Sequence, residues 1–383
     1  MRLTATLAAA LLATACPVLA AQEPDAVITG TVPQDEDERG LWMQVDDSER
    51  RLKASNFVIR DTALNAYVRR VFCRTVGEKE CAGVRIYITR TPYFNASMAP
   101  NGMMQIWSGL FLRARDEAQL AAVLAHEYTH YRERHSLRLF RNIKNKTNAI
   151  AWLSFVPFGA VAQLGLLGSI FGFSREMERE ADTGSVKALA TAGYDPAAAS
   201  AIWGQMLAEF DATAAERKRK RRSEGGMFAS HPPSVERMTE LKAQAAALPT
   251  GGERRTGAAE YRAALAPFWA DFIDDQIKLN DFGATELLLG QLANEGWTGN
   301  LLFARGELYR SRAAVGDFEK AASFYRGAIE AGNAPFEAHR GLGMSLLRSG
   351  NTPDGQAALK EYLRLRPEAK DKAMIVMLAG EIT

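Results

Sequence analysis

Apolar positions along this 383-residue chain change period several times, and each change marks an element. After Asp61, Leu64, Val68, Val71 and Phe72 recur at the spacing of one helical face, with Asp61 as N-cap. Val84-Arg85-Ile86-Tyr87-Ile88-Thr89 alternates as a strand. Met103-Met104-Gln105-Ile106-Trp107 reads as a second strand beyond the Pro100-Asn101-Gly102 turn. From Asp116 the helical period returns, with an apolar stripe of Leu120, Val123 and Leu124. A later acidic run over 174–182 puts Glu178 and Asp182 on one helical face and Glu176 and Glu180 on another. Between these two helices, residues 149–173 carry no charge. That stretch is long enough to cross a bilayer, but Pro157, Gly159, Gln163, Gly165, Gly168 and Gly172 interrupt it.

The C-terminal third is repetitive. After a Pro249-Thr250-Gly251-Gly252-Glu253 linker, Gly316-Asp317-Phe318 and Gly350-Asn351-Thr352 begin matching units at the roughly 34-residue tetratricopeptide period. Leu308 and Leu342 share one register, Tyr325 and Leu359 another, and Pro367 ends the second unit. Asn280-Asp281-Phe282 hints at an earlier, degenerate unit. Stacked helix pairs of this kind leave a concave surface for peptides or partner proteins.

The chain opens Met1-Arg2-Leu3, runs through alanine and leucine to Ala15, and offers a Val18-Leu19-Ala20 cleavage site, the layout of a secretory leader. Cys16 raises a lipoprotein alternative, against which stand Ala13 in the lipobox position and Pro17 after the cysteine. Export leaves Cys73 and Cys81, expected to close a small disulfide loop around Gly77. The charge is balanced, 47 Lys and Arg against 45 Asp and Glu, so nothing pulls the whole chain toward nucleic acid. The Arg217-Lys218-Arg219-Lys220-Arg221-Arg222 run lacks interleaved aromatics for base stacking and reads as a solvated loop, with anionic headgroups as the alternative.

The chemistry concentrates in His126-Glu127-Tyr128-Thr129-His130. Histidines four apart share a helical face and can grip one ion, and Glu127 lies beside them as a base for the attacking water. The short pattern also arises by chance in helices, but the buried stripe and the downstream acidic helix raise its weight. A catalytic zinc takes three protein ligands, and a carboxylate from the second, acidic helix would supply the third. Asp182, one turn on, can accept a ligating histidine's free ring N–H. Taken alone, Glu178-x-x-x-Asp182 would read as a solvated helix with salt bridges such as Glu176 to Arg179 and Glu180 to Lys187.

Glu178-x-x-x-Asp182, read with Glu180-Ala181-Asp182 and Gly184, resembles the HtpX, BepA and Oma-type gluzincin metallopeptidases, relatives of the CAAX prenyl proteases. The approach from Asp116 to Glu127, the Ala192-Gly193-Tyr194-Asp195-Pro196 turn, and Ser230-His231-Pro232-Pro233 with Arg237 extend the resemblance over roughly 55–241. It is nearest to the periplasmic BepA-type members with C-terminal tetratricopeptide repeats. The resemblance implies one Zn2+ held by His126, His130 and Glu178, Glu127 as general base, and Asp182 and Arg237 behind the ligands. It makes His231 either a gate over the open coordination position or a group that polarises the scissile carbonyl. In zincin-like folds an edge strand beside the zinc helix pairs with extended substrate, which marks Gln105, Ile106, Trp107 and Ser108 as an expected substrate edge. The apolar 149–173 segment is then a membrane hairpin, a membrane-touching flap or a plug over the site. A single crossing would separate the two ligand helices, which favours the plug or a membrane-contacting lid.

The expected fold is therefore mainly α: a zincin-like metallopeptidase domain with a small β-sheet, then a tetratricopeptide-like repeat domain. Its organisation reads as a leader over 1–21, a flexible acidic lead-in over 22–47, the metallopeptidase domain over 48–248, a linker over 249–258 and repeats over 259–383. The resemblance implies an exported, periplasmic protease acting on unfolded or misassembled envelope proteins, with the repeats meeting outer-membrane assembly machinery and peripheral membrane contact through the apolar segment. The competing reading is a repeat-based chaperone or adaptor with a gated or vestigial site.

Overall fold

The computed structural model of the chain describes residues 32–146, 173–218, 231, 234–249, 252 and 254–380. The leader with Cys16, the apolar segment apart from Phe173, residues 219–222 of the basic run, and Pro232-Pro233 lie outside the described residues. The first element corrects the expected flexible lead-in: residues 36–47 belong to helix α1, Glu36–Ala54. Glu36, Asp37 and Glu38 sit where the positive end of the helix favours anions, and Asp35 caps it by accepting from Glu38 N–H. Leu41, Val45 and Leu52 form its buried side.

Helix α2, Thr62–Val76, starts at the Asp61 cap. Cys73 near its end is disulfide-bonded to Cys81 on the short helix α3, Glu78–Ala82, with Cα atoms 4.9 Å apart. Three strands follow: β1 (Arg85–Thr89), β2 (Ala96–Met98) and β3 (Met103–Trp107). They pair in the order β1-β3-β2, with β3 parallel to β1 and antiparallel to β2. The expected edge at Gln105 to Ser108 is thereby corrected. β3 is the central strand, its backbone used on both sides. Gln105 and Ile106 are buried, Trp107 precedes helix α4 (Ser108–Arg113), and Ser108 Oγ is bound to the backbone of Thr91. The open edge beyond β3 belongs to Ala96–Met98.

Helix α5, Glu117–Arg132, runs through the middle of this half, capped by Asp116, and nearly every residue from Glu117 to His130 is buried. A helix apolar all round must be covered all round. Among the described residues, helices α6 (His135–Lys146), α7 (Arg175–Thr191), α8 (Ala198–Glu216) and α9 (Val235–Ala247) follow, and α7 packs closely along α5. Ser185 Oγ of α7 donates to Ala122 O of α5 at 2.8 Å. A Cβ placed on Gly184 would meet Thr129 Oγ1 at 2.3 Å, so the absence of a side chain there sets the helix spacing.

Among the described residues, eight further α-helices follow: α10 (Ala258–Leu265), α11 (Trp269–Ile277), α12 (Phe282–Leu292), α13 (Gly299–Arg312), α14 (Asp317–Glu330), α15 (Glu337–Arg348), α16 (Thr352–Leu365) and α17 (Lys372–Leu378). One apolar core runs from Leu64 and Phe111 through Tyr261, Phe272 and Leu288 to Leu308. Tyr261 O–H donates to Phe111 O at 2.8 Å, and buried Arg113 donates to Glu209 and Gln276. A second cluster around Tyr325, Ala338, Leu342 and Leu346 joins α14 to α15. Gly306 and Gly341 lie against the two sides of the Tyr325 ring, too close for a Cβ. No helix among the described residues is long and apolar enough to cross a membrane.

Candidate metal centre

The period of α5 brings His126 and His130 to one face, with their Nε2 atoms 3.1 Å apart. α7 approaches from the side and delivers Glu178. Its carboxylate oxygens lie 3.6 Å from His126 Nε2 and 3.6 Å from His130 Nε2. Four ligands around zinc at about 2.0–2.2 Å stand roughly 3.3–3.5 Å from one another, so these three spacings suit one tetrahedral ion. All three side chains are buried, which removes competing water.

The donor chemistry also fits. Burial lowers the pKa of both His126 and His130, favouring the neutral rings a metal needs. His126 Nδ1 faces Asp182 Oδ1 at 3.1 Å, so its N–H donates there and Nε2 keeps a lone pair for the ion. Asp182 is fixed in turn by Arg237, which reaches it with Nε at 2.6 Å and Nη2 at 2.7 Å. Burial alone would raise the Asp182 carboxyl, but Arg237 and His126 outweigh it and bring it down to about 2. Arg237 also meets Glu178 Oε2 at 2.9 Å and lies 4.2 Å over the Trp203 ring. Asp182 thus stands behind His126, and Arg237 behind Asp182 and Glu178.

Glu127 is 2 % exposed and points into the same space, where its Oε1 finds no hydrogen-bond partner among the described residues. Burial pushes its carboxyl up to about 7, against a downward pull from His231 and the Met98 backbone amide of β2. His231 fills the fourth corner of the group. Its Nδ1 is 3.3 Å from His126 Nε2 and 2.7 Å from Glu178 Oε1, and its Nε2 is 3.6 Å from Glu127 Oε1. Burial works against a charged ring there, but Glu178 and Glu127 outweigh it and raise its pKa. His126, His130, Glu178 and His231 are together able to hold one metal ion. Gln105 to Ser108 stand apart in the sheet and its following helix, and the cysteine pair lies at the end of α2.

Two participants escaped sequence reasoning. His135, fully buried at the start of α6, places Nδ1 2.8 Å from His130 Nδ1. Trp203 of α8 supports Arg237. Composition held a signal for the first: the chain has only five histidines, and four of them meet here. Trp203 carried none, because an apolar helix position gives no sign of the cation it will face.

Residues 59–245 match the model for peptidase family M48. The mitochondrial metalloendopeptidase OMA1 of Schizosaccharomyces pombe is 33% identical over 152 residues, 37% of this chain and 43% of its own length. The beta-barrel assembly-enhancing protease of Escherichia coli is 27% identical over 185 residues, 44% of this chain and 38% of its own. Its Vibrio cholerae counterpart is 29% identical over 215 residues, 52% of this chain and 43% of its own. The chain thus matches less than half the length of each of these relatives. Every side chain of the metal centre falls within residues 59–245, the span that matches the model for peptidase family M48.

Proposed function

We propose that this chain is an exported zinc metalloendopeptidase that cleaves envelope proteins. The observation that carries the reading is the convergence of His126, His130 and Glu178 at ligand spacing with Glu127 beside them. The bound ion supplies Lewis acidity that makes water nucleophilic and a carbonyl electrophilic near neutral pH. Glu127, whose carboxyl is raised to about 7, takes the proton of the attacking water and returns it to the leaving amine. Asp182 holds His126 in its ligating tautomer, and Arg237 holds Asp182.

Extended substrate pairs along the free side of β2, Ala96–Met98. Ser97 faces Gln105 across the ladder, so the polar backbone groups of Ala96 and Met98 turn outward, and the Met98 amide faces Glu127. Recognition through backbone makes the enzyme tolerant of sequence. His231 acts as the gate: bound to Glu178, it fills the corner that water and the scissile carbonyl require. The helix pairs α13–α14 and α15–α16, read as tetratricopeptide-like repeats, select clients or dock the enzyme on assembly machinery. The names of the bacterial relatives, which refer to β-barrel assembly, support that direction. The chaperone reading with a shut site draws on the same seated His231, but an intact Glu127 speaks for chemistry.

Glu127→Gln separates the two. It should lower peptide hydrolysis by roughly 10²–10⁴-fold, the usual contribution of a general base, while zinc content stays at the wild-type level. Cleavage at the wild-type rate would remove Glu127 from its role.

A further inference from the structure

His126 has a carboxylate behind it, whereas among the described residues the polar partner behind His130 Nδ1 is a third histidine. His135 Nδ1 lies 2.8 Å from His130 Nδ1, and its other nitrogen, Nε2, lies 2.7 Å from Glu180 Oε2. Arg138 Nη1 closes the chain at 2.8 Å from the same carboxylate oxygen. His135 is fully buried, the rings of His130 and His135 stand nearly perpendicular, and the aromatic face of Phe173 covers His130 at 4.1 Å. Among the described residues, His130 is thus buried between His135 and Phe173.

We infer that His135 and Glu180 are positioning residues that hold His130 in its metal-ligating tautomer. The inference rests on the metal reading of the site. Two facing Nδ1 atoms form a hydrogen bond only if one carries the proton and the other does not. For His130 Nε2 to give its lone pair to an ion, His130 Nδ1 must carry the proton and donate it to His135 Nδ1. His135 must then carry its own proton on Nε2, where Glu180 accepts it. Each atom in the sequence from Glu180 to His130 thus has one role, and Glu180, steadied by Arg138, sets the direction. This is the carboxylate–histidine–metal arrangement extended by one imidazole. It also assigns a purpose to the second acidic face of α7: Glu178 and Asp182 serve the ion and His126, while Glu180 reaches His130 through His135.

The test is zinc affinity of the full chain, measured by competition with a chromophoric chelator, together with the visible spectrum of the cobalt-substituted protein. His135→Leu should weaken zinc binding about ten- to hundredfold and shift the cobalt bands. His135→Asn, whose side-chain oxygen can accept from His130 at the same place, should restore most of the affinity. Glu180→Ala alters a partly exposed residue and serves where His135→Leu fails to fold; it should weaken binding in the same direction. Wild-type affinity and an unchanged cobalt spectrum in Glu180→Ala and His135→Leu would overturn the inference while leaving the metal reading standing. Failure of the wild-type chain to bind zinc would overturn both.

Discussion

Burial at Glu127 makes a weak acid into a useful base. A carboxyl raised to about 7 exchanges its proton near neutral pH, and a solvated glutamate would not. In the proposed mechanism, the neighbouring His231 is the residue on which the resting state turns. Replacing it by alanine should raise peptide hydrolysis severalfold by clearing the fourth corner; loss of hydrolysis would instead make His231 part of the reaction. Farther along α5, the cap residue Asp116 offers a stability test away from the ion. Burial raises its carboxyl to about 6 from an ordinary value near 4. The folded state therefore holds the proton more tightly than the unfolded one, and stability falls as pH rises between those values. Relative to Asp116→Asn, which keeps the cap, the wild-type protein should lose melting temperature from pH 4 to 6. Parallel profiles would contradict the assignment. At this scale the sequence was legible where spacing forces geometry, as for His126 and His130, and illegible where a side chain serves another across the fold, as for His135 and Trp203.

The element that matters most to the site is the contact between α5 and α7. Gly184 lies directly against Thr129, and Thr129 precedes the ligand His130 by one residue. Gly184→Ala should cost about 1–3 kcal/mol through overpacking and weaken zinc binding, since Glu178 moves with its helix. Urea denaturation and chelator competition read the two effects, and wild-type values in both would mean the helices relax freely. The helices themselves were readable from period and cap, as Asp61 and Asp116 show. α1 was not, because its acidic start resembles a disordered tail until Leu41, Val45 and Leu52 find a surface to cover. The order of the strands was hidden for a related reason. Alternation marks Met103–Trp107 as a strand but does not say how many neighbours it will have, and the short Ala96–Met98 edge has too few residues to show a period.

Across the whole molecule, a linker composition at 249–253 suggested a break, yet apolar packing passes straight over it. Ala118 N–H donates to Thr256 O, and α10 to α13 contribute Tyr261, Leu265, Phe272, Leu288 and Leu308 to the core that surrounds α5. A chain ending at Ala247 should fail to fold, whereas one ending at Arg312 keeps that core whole and should still bind zinc. Circular dichroism on the two shortened chains decides this; a folded, metal-binding shorter form would show that the core divides after all. Under the proposed function, this shared packing would put client selection by the C-terminal helices close to cleavage. All of it depends on one ion held by residues from two helices. The most direct measurement is the zinc content of the purified chain beside that of Glu178→Ala. The account predicts one zinc per chain in the wild type and a large loss in the variant. A wild-type protein without zinc, or a variant that retains it fully, would contradict the account.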